Sequence, residues 1–197
     1  MEESTTIKVH ACLDRLRQGD AAAREALLQI TWRRLRAIAS SKMRGLVRVE
    51  GQADSSDLFQ ETQVRLWQTL QAMTPESPRH FLNIAAQIMR QELIDLLRRA
   101  KVRRHQALTP GGSGGSDHQD DGVAPPGTLT DEPGRMAVWT EFHKRVEQLP
   151  PDLKEVFSLV WYQGLSKPEV AELIGVSVRT VYRHWTEACD RLGELLE

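Results

Sequence analysis

The chain has 197 residues, 40% apolar and 27% charged, with a formal net charge of −1. That is the composition of a soluble globular protein with room for one large or two small domains, each able to bury a core. No run of about eighteen apolar residues occurs, which excludes a transmembrane helix. The start, Met1-Glu2-Glu3-Ser4, has neither the basic nor the apolar segment of a signal peptide. Cys12 and Cys189 lie at opposite ends with no second ligand nearby, and read as lone buried thiols in a reducing, cytoplasmic setting. The small net charge conceals a division. Residues 1–104 hold 18 Lys/Arg against 12 Asp/Glu (+6), residues 105–138 hold 1 against 5 (−4), and residues 139–197 hold 7 against 10 (−3). A basic front followed by an acidic middle permits nucleic-acid binding, which depends on the local field and not on the total.

Taken in order, the elements are helical throughout, with no convincing alternating strand. Val9, Leu13 and Leu16 mark a short opening helix. Asp20 can cap a second, with Ala23, Leu27, Ile30, Leu35 and Ile38 inward. Residues 40–56 are ambiguous, and Asp54-Ser55-Ser56-Asp57 then reads as a cap with an acid in the first turn. The helix it opens buries Leu58, Phe59, Leu66, Trp67, Leu70 and Met73. After a break at 74–78, Ser77 caps and Pro78 begins a helix carrying Phe81, Ile84, Ala85, Ile88, Leu93 and Leu97 inward. It runs out into Arg98, Arg99, Lys101, Arg103 and Arg104. The Gly/Pro/Ser/Asp-rich stretch 105–134 cannot bury enough surface to offset ordering and reads as a flexible acidic linker. The predicted fold is therefore all-α: two small helical domains, 1–104 and 135–197, joined by that linker.

In the second domain, Trp139, Phe142, Val146 and Leu149 define one helix, and Leu153, Val156, Phe157 and Val160 define the next, beyond Pro150-Pro151. A helix-turn-helix follows. Ser166 and Glu169 form a capping box, and Pro168 sits in the first turn. Val170, Ala171 and Ile174 face inward, Gly175 ends the helix in a left-handed residue, and Val176 can fold back onto it. Ser177 caps a second helix whose inward positions are Val181, Trp185, Ala188 and Leu192. Its outward positions are Arg179, Thr180, Arg183 and His184. Such a helix fits a DNA major groove, where arginine can bond a guanine edge twice. Ser177 and Lys167 are placed to hold phosphates. Two short helices around a glycine turn also make ordinary corners in helical proteins.

The other motifs carry the same double reading. Asp57, Gln60, Glu61 and Arg65 share one stripe of their helix, and such a stripe is ordinarily a solvated face. Leu58, beside it, is either a docking contact or core. Five cations within Arg98 to Arg104 exceed what a helix C-terminus needs and suggest phosphates. No enzyme is expected: the Gly-rich run lacks a phosphate-loop lysine, and neither a paired-histidine ligand motif nor a nucleophile motif occurs. No cofactor or metal is expected either.

In this order the motifs resemble bacterial RNA polymerase sigma factors of the group-4, extracytoplasmic-function type, which keep only conserved regions 2 and 4. Asp54 to Trp67 is similar to region 2.2, Phe81 to Arg99 to regions 2.3 and 2.4, and Leu149 onwards to region 4. The resemblance implies that 1–104 is a region 2-like domain and 135–197 a region 4-like one. It implies that Asp57, Leu58, Gln60, Glu61 and Arg65 bind core RNA polymerase at the clamp helices of its largest subunit. The C-terminal domain would meet the second-largest subunit. His80, Asn83, Arg98, Arg99, Lys101, Arg103 and Arg104 would handle the −10 element and its backbone, and Ser177, Arg179, Thr180, Arg183 and His184 the −35 element. The linker would be a spacer or would thread the polymerase cleft. An anti-sigma partner is possible in this family, and membrane insertion is not implied. The sequence lacks the aromatic cluster that housekeeping sigma factors carry near Phe81, which implies weaker melting and stricter promoter choice. The alternative is a stand-alone helix-turn-helix regulator with an N-terminal sensing or dimerisation domain.

Overall fold

The computed structural model describes residues 4–42, 52–107 and 132–193, and among them every regular element is an α-helix. The first group is α1 (Thr5–Arg17), α2 (Ala21–Lys42), α3 (Gln52–Ala72) and α4 (Pro78–Ala107). The second is α5 (Glu132–Gln148), α6 (Pro151–Trp161), α7 (Lys167–Ile174) and α8 (Val178–Gly193). Helix reaches three residues into each end of the acidic 105–134 stretch. Leu35 and Ile38, expected to face inward, lie outside the residues whose side chains are described, as do Leu58 and Phe59.

Local signals set the boundaries. Gly19 turns the chain out of α1 at φ +88°, a conformation that costs glycine little. Asp20 then accepts the Ala22 N–H at 2.9 Å, the expected cap of α2, while Arg15 holds its other oxygen at 2.6 Å. Those bonds hold the Asp20 carboxyl below the usual carboxylate range, with the Arg15 bond contributing most. Ser77 Oγ accepts the His80 N–H at 3.1 Å, and Pro78 takes the first position of α4. One expected cap is displaced. α3 begins at Gln52, so positions 54–57 lie within its opening turns and not before them. Met73, expected inward, falls just past α3 and is 37% exposed.

α4 organises the molecule because it is buried on two faces. Phe81, Leu82 and Ile88 enter one cluster with Val9, Leu13, Leu27, Leu66 and Leu70. Ala86, Met89 and Leu93 enter another with Phe142, Val146, Leu149, Phe157 and Tyr162. The first cluster continues into Val156, Leu159, Val170 and Val181, so both clusters draw on both helical groups. Each group could bury a core by itself; the chain instead builds a shared one, seated on α4.

Polar groups are buried at this junction in matched sets. Arg90 of α4 is ion-paired with Glu147 of α5 and lies 5.9 Å from the Tyr162 ring. His143 Nδ1 and the Tyr162 hydroxyl share a 2.7 Å hydrogen bond, both residues almost wholly enclosed. Burial, with Arg90 adding to it, pushes His143 down to about 3, so the ring is neutral. Burial also drives the Tyr162 hydroxyl upward. On the far side of α4, the buried Glu92 carboxylate meets Arg65 of α3 at 3.0 Å.

Candidate nucleic-acid interface

The helix-turn-helix is built from backbone-level signals. Ser166 Oγ accepts the Glu169 N–H at 3.4 Å, and Glu169 Oε2 accepts the Ser166 N–H at 2.8 Å, closing the capping box of α7. Gly175 adopts φ +77°, and the Val176 N–H reaches the Ala171 carbonyl at 3.1 Å, the long-range bond of a Schellman ending. The Val176 side chain is 38% exposed at this ending. Ser177 Oγ accepts the Thr180 N–H at 3.1 Å and so caps α8.

Along α8, Val181, Ala188 and Leu192 are buried. Trp185 is half-buried, its ring stacked 5.3 Å from Phe157 at an interplanar angle of 7°. That stacking ties α8 to α6. Facing outward, Arg179 and Arg183 are exposed, and neither forms an ion pair with a described residue. Thr180 is half-buried and shares a 2.8 Å hydroxyl contact with Ser177, so it is committed to the cap. His184 is half-buried with an enclosed Nδ1 that has no hydrogen-bond partner among the described residues.

Two features of this face were not read from the sequence. Tyr182 is 53% exposed between the two arginines. Lys167, expected to hold a phosphate, places its ammonium 4.9 Å from the Tyr182 ring and 5.0 Å from the Trp185 ring. The outward position of Tyr182 follows from its place next to inward Val181. The lysine's seat depends on how α7 crosses α8, which no local pattern states.

The residues expected at the −10 element do not form one patch. His80 and Asn83 lie in the first turns of α4, whereas Arg98 to Arg104 lie near its end; at 1.5 Å per residue, roughly 27 Å separates His80 from Arg98. His80 Nδ1 accepts the Glu76 N–H at 3.4 Å. Asn83 donates to Glu155 Oε1 at 2.7 Å, across the junction to α6. Arg79, absent from the expected set, grips both Glu155 oxygens at 2.6 Å. Burial disfavours the charged Glu155 carboxylate, but the bonds from Arg79 and Asn83 outweigh it and hold the carboxyl below the usual range. At the far end, Arg98 and Arg99 are exposed and lean back onto Asp95, at 3.4 Å each. Lys101, Arg103 and Arg104 continue the same helix, their side chains outside the described set.

On α3, positions 57, 58, 60, 61 and 65 follow one another within a single unbroken helix. Gln60 is exposed, and the side chains of Asp57, Leu58 and Glu61 are outside the described set. Arg65 is exposed in part but committed to Glu92, so it braces α3 on α4 as well as facing solvent.

An all-α chain with a capped helix-turn-helix, exposed arginines on its second helix and a cation-rich long helix belongs to the class of nucleic-acid-binding transcription proteins. The family model for ECF sigma factors matches residues 6–196, and the chain belongs to that family. Comparison with curated proteins and with solved structures returned no match. Its role is that of a sigma subunit in transcription initiation; the family is one of non-catalytic transcription factors, and its members bind core RNA polymerase and promoter DNA. Among the described residues no helix is long and apolar enough to cross a membrane.

Proposed function

We propose that the chain confers promoter choice on core RNA polymerase by a two-point grip: α8 reads the −35 element, and α4 and the segment before it handle the −10 element. In this reading α3 docks on the clamp helices of the largest subunit through Asp57, Leu58, Gln60, Glu61 and Arg65. The domain from 135 onward meets the second-largest subunit, and the 105–134 stretch serves as the tether between 1–104 and 135–197. The observation that carries the reading is the pair Arg179 and Arg183, exposed and without an ion-pair partner among the described residues, on a braced helix whose start is capped by Ser177. Two modest reading surfaces on one tether gain from effective concentration once the polymerase fixes their spacing.

The deciding experiment mixes the purified chain with sigma-free core polymerase and assays transcription from genomic fragments. Promoter-specific transcripts are expected only with both components. Tight specific binding to DNA without polymerase, and no stimulation with it, would favour the stand-alone regulator.

Two variants separate the surfaces. Gln60→Ala with Glu61→Ala is expected to weaken core binding while the helical content is kept, as read by circular dichroism and core titration. Arg65 is the poorer probe, because an alanine there also removes the cation beside buried Glu92. Arg183→Ala is expected to relax the preference for one −35 base by about 1–3 kcal/mol and to leave core affinity alone. A uniform loss across all −35 variants would instead make Arg183 a phosphate contact.

A further inference from the structure

Resting on the assignment of α8 to the −35 element, we infer that Lys167 is a positioning residue for that helix and not a phosphate contact. Its ammonium, seated on two rings of α8, fixes the angle at which Arg179 and Arg183 are presented. Lys167 Nζ lies 4.9 Å from the centre of the Tyr182 ring and 5.0 Å from that of Trp185, both within reach of a cation–ring attraction. It forms no hydrogen bond or ion pair with a described residue. The lysine also stands where its charge is not favoured. It holds the first position of α7, where the helix dipole and the free N–H groups attract anions. The two rings offset that cost, and reaching out to a phosphate would forfeit both.

What the seat supplies is a second anchor. α7 has eight residues, and its buried ones, Val170 and Ala171, are adjacent. Leu173 and Ile174 pack in part against the same cluster, toward the turn at Gly175. Ahead of them Pro168 is exposed, so Lys167 supplies the tie at the start of the helix, roughly 4.5 Å along the axis from Val170. Trp185 passes this tie to α6 through its stack on Phe157. Tyr182 passes it to the outward face. It is 53% exposed, directly precedes Arg183 and stands three residues after Arg179. Without the seat α7 can rock on Val170 and Ala171, and α8 loses a fixed orientation. Bidentate bonds to base edges demand that orientation, whereas attraction to phosphates does not. The loss should therefore fall on sequence discrimination and spare the salt dependence.

The test uses the full chain assembled with core polymerase, on a promoter fragment recovered from the transcription assay above. Affinity is measured over a range of KCl for the native −35 element and for single-base variants of it. Lys167→Met keeps the stem and its packing on the rings but removes the charge, whereas Lys167→Arg keeps a cation over them. For Lys167→Met, discrimination among −35 variants is expected to fall about fivefold, the worth of one half-buried cation–ring contact. The slope of log affinity against log salt is expected to match that of the native chain. Lys167→Arg is expected to keep both. Adding Tyr182→Ala to Lys167→Met should cost less than the two separate losses together, because the lysine acts through that ring. A slope shallower by about 0.9 for Lys167→Met overturns the inference and makes Lys167 a phosphate contact. Unchanged discrimination, fully additive losses, or an arginine variant that fails as the methionine one does overturns it as well. Arg183→Ala is the control for the reading itself. If that variant leaves −35 discrimination unchanged, α8 does not read the element, and the assignment falls together with the inference. If it lowers discrimination while Lys167→Met shifts the slope, the inference alone falls.

Discussion

Phe157→Ala is expected to cost about 3–5 kcal/mol of stability, a loss at the top of the range for truncating one core side chain. Phe157 is 2% exposed, and its ring lies within 6.4 Å of those of Phe142, Trp161, Tyr162 and Trp185. Four aromatic neighbours cannot all collapse into the space of one missing ring, so most of the cavity persists and its lining loses dispersion contacts. α8 would suffer twice. Its Trp185 stacks directly on Phe157, and its buried Ala188 and Leu192 sit in the same cluster. A fall of roughly 10 °C in thermal midpoint is expected for a chain of this size. DNA binding should weaken with it, even at temperatures where the fold survives. A loss below about 1 kcal/mol would mean that the second helical group repacks freely, and that α8 is not held in one orientation by α6.

The parts legible in the sequence are those whose cause is local. Ser77 before Pro78, Ser166 three residues from Glu169, and Gly175 after Ile174 each announce a helix end through one short hydrogen bond or one left-handed residue. Each is found where expected. Inward positions at helical spacing were legible for the same reason: Val9, Leu13 and Leu16 are buried, as are Val181, Ala188 and Leu192.

What was not legible is the second face of α4. Ala86, Met89 and Leu93 form a second stripe at spacings of 3 and 4, all of them buried. Arg90 and Glu92 stand beside that stripe and make it look solvated. Their partners, Glu147 and Arg65, come from other helices, the first of them 57 residues away. A burial pattern that depends on a distant counter-charge leaves no periodic trace. The same holds at the candidate site. Arg179 and Arg183 could be placed outward from Val181 alone, but the seat of Lys167 on two rings and the grip of Arg79 on Glu155 exist only once helices cross. Residue spacing was a sound guide to which side chains of α8 face outward and a poor one to the junction that holds Asn83.

Acidification is expected to loosen that junction through His143. Burial holds its folded-state pKa near 3, whereas an unfolded histidine titrates near 6.5, so the unfolded chain binds the proton first as the pH falls. The stability that neutral His143 contributes is therefore complete above about pH 6.5, and it is lost at roughly 1 kcal/mol per pH unit on the way down towards 3. Asp20 and Glu155 also have depressed values, but as carboxylates they lose their contribution only below about pH 4–5. Between pH 7 and 5 the slope should thus belong to His143 among these groups. His143→Gln keeps a polar partner for the Tyr162 hydroxyl without a titrating ring. Urea unfolding at pH 7.5, 6.5 and 5.5 is expected to show a falling midpoint for the native chain and a nearly level one for the variant. Parallel slopes would place His143 in water, contrary to its 1% exposure and its 2.7 Å bond to Tyr162. Because Tyr162 also lies under Arg90 of α4, a charged His143 would add repulsion where the two helical groups meet. The folded ring therefore stays neutral until the pH nears 3, and the loss between pH 7 and 5 comes from proton uptake by the unfolded chain.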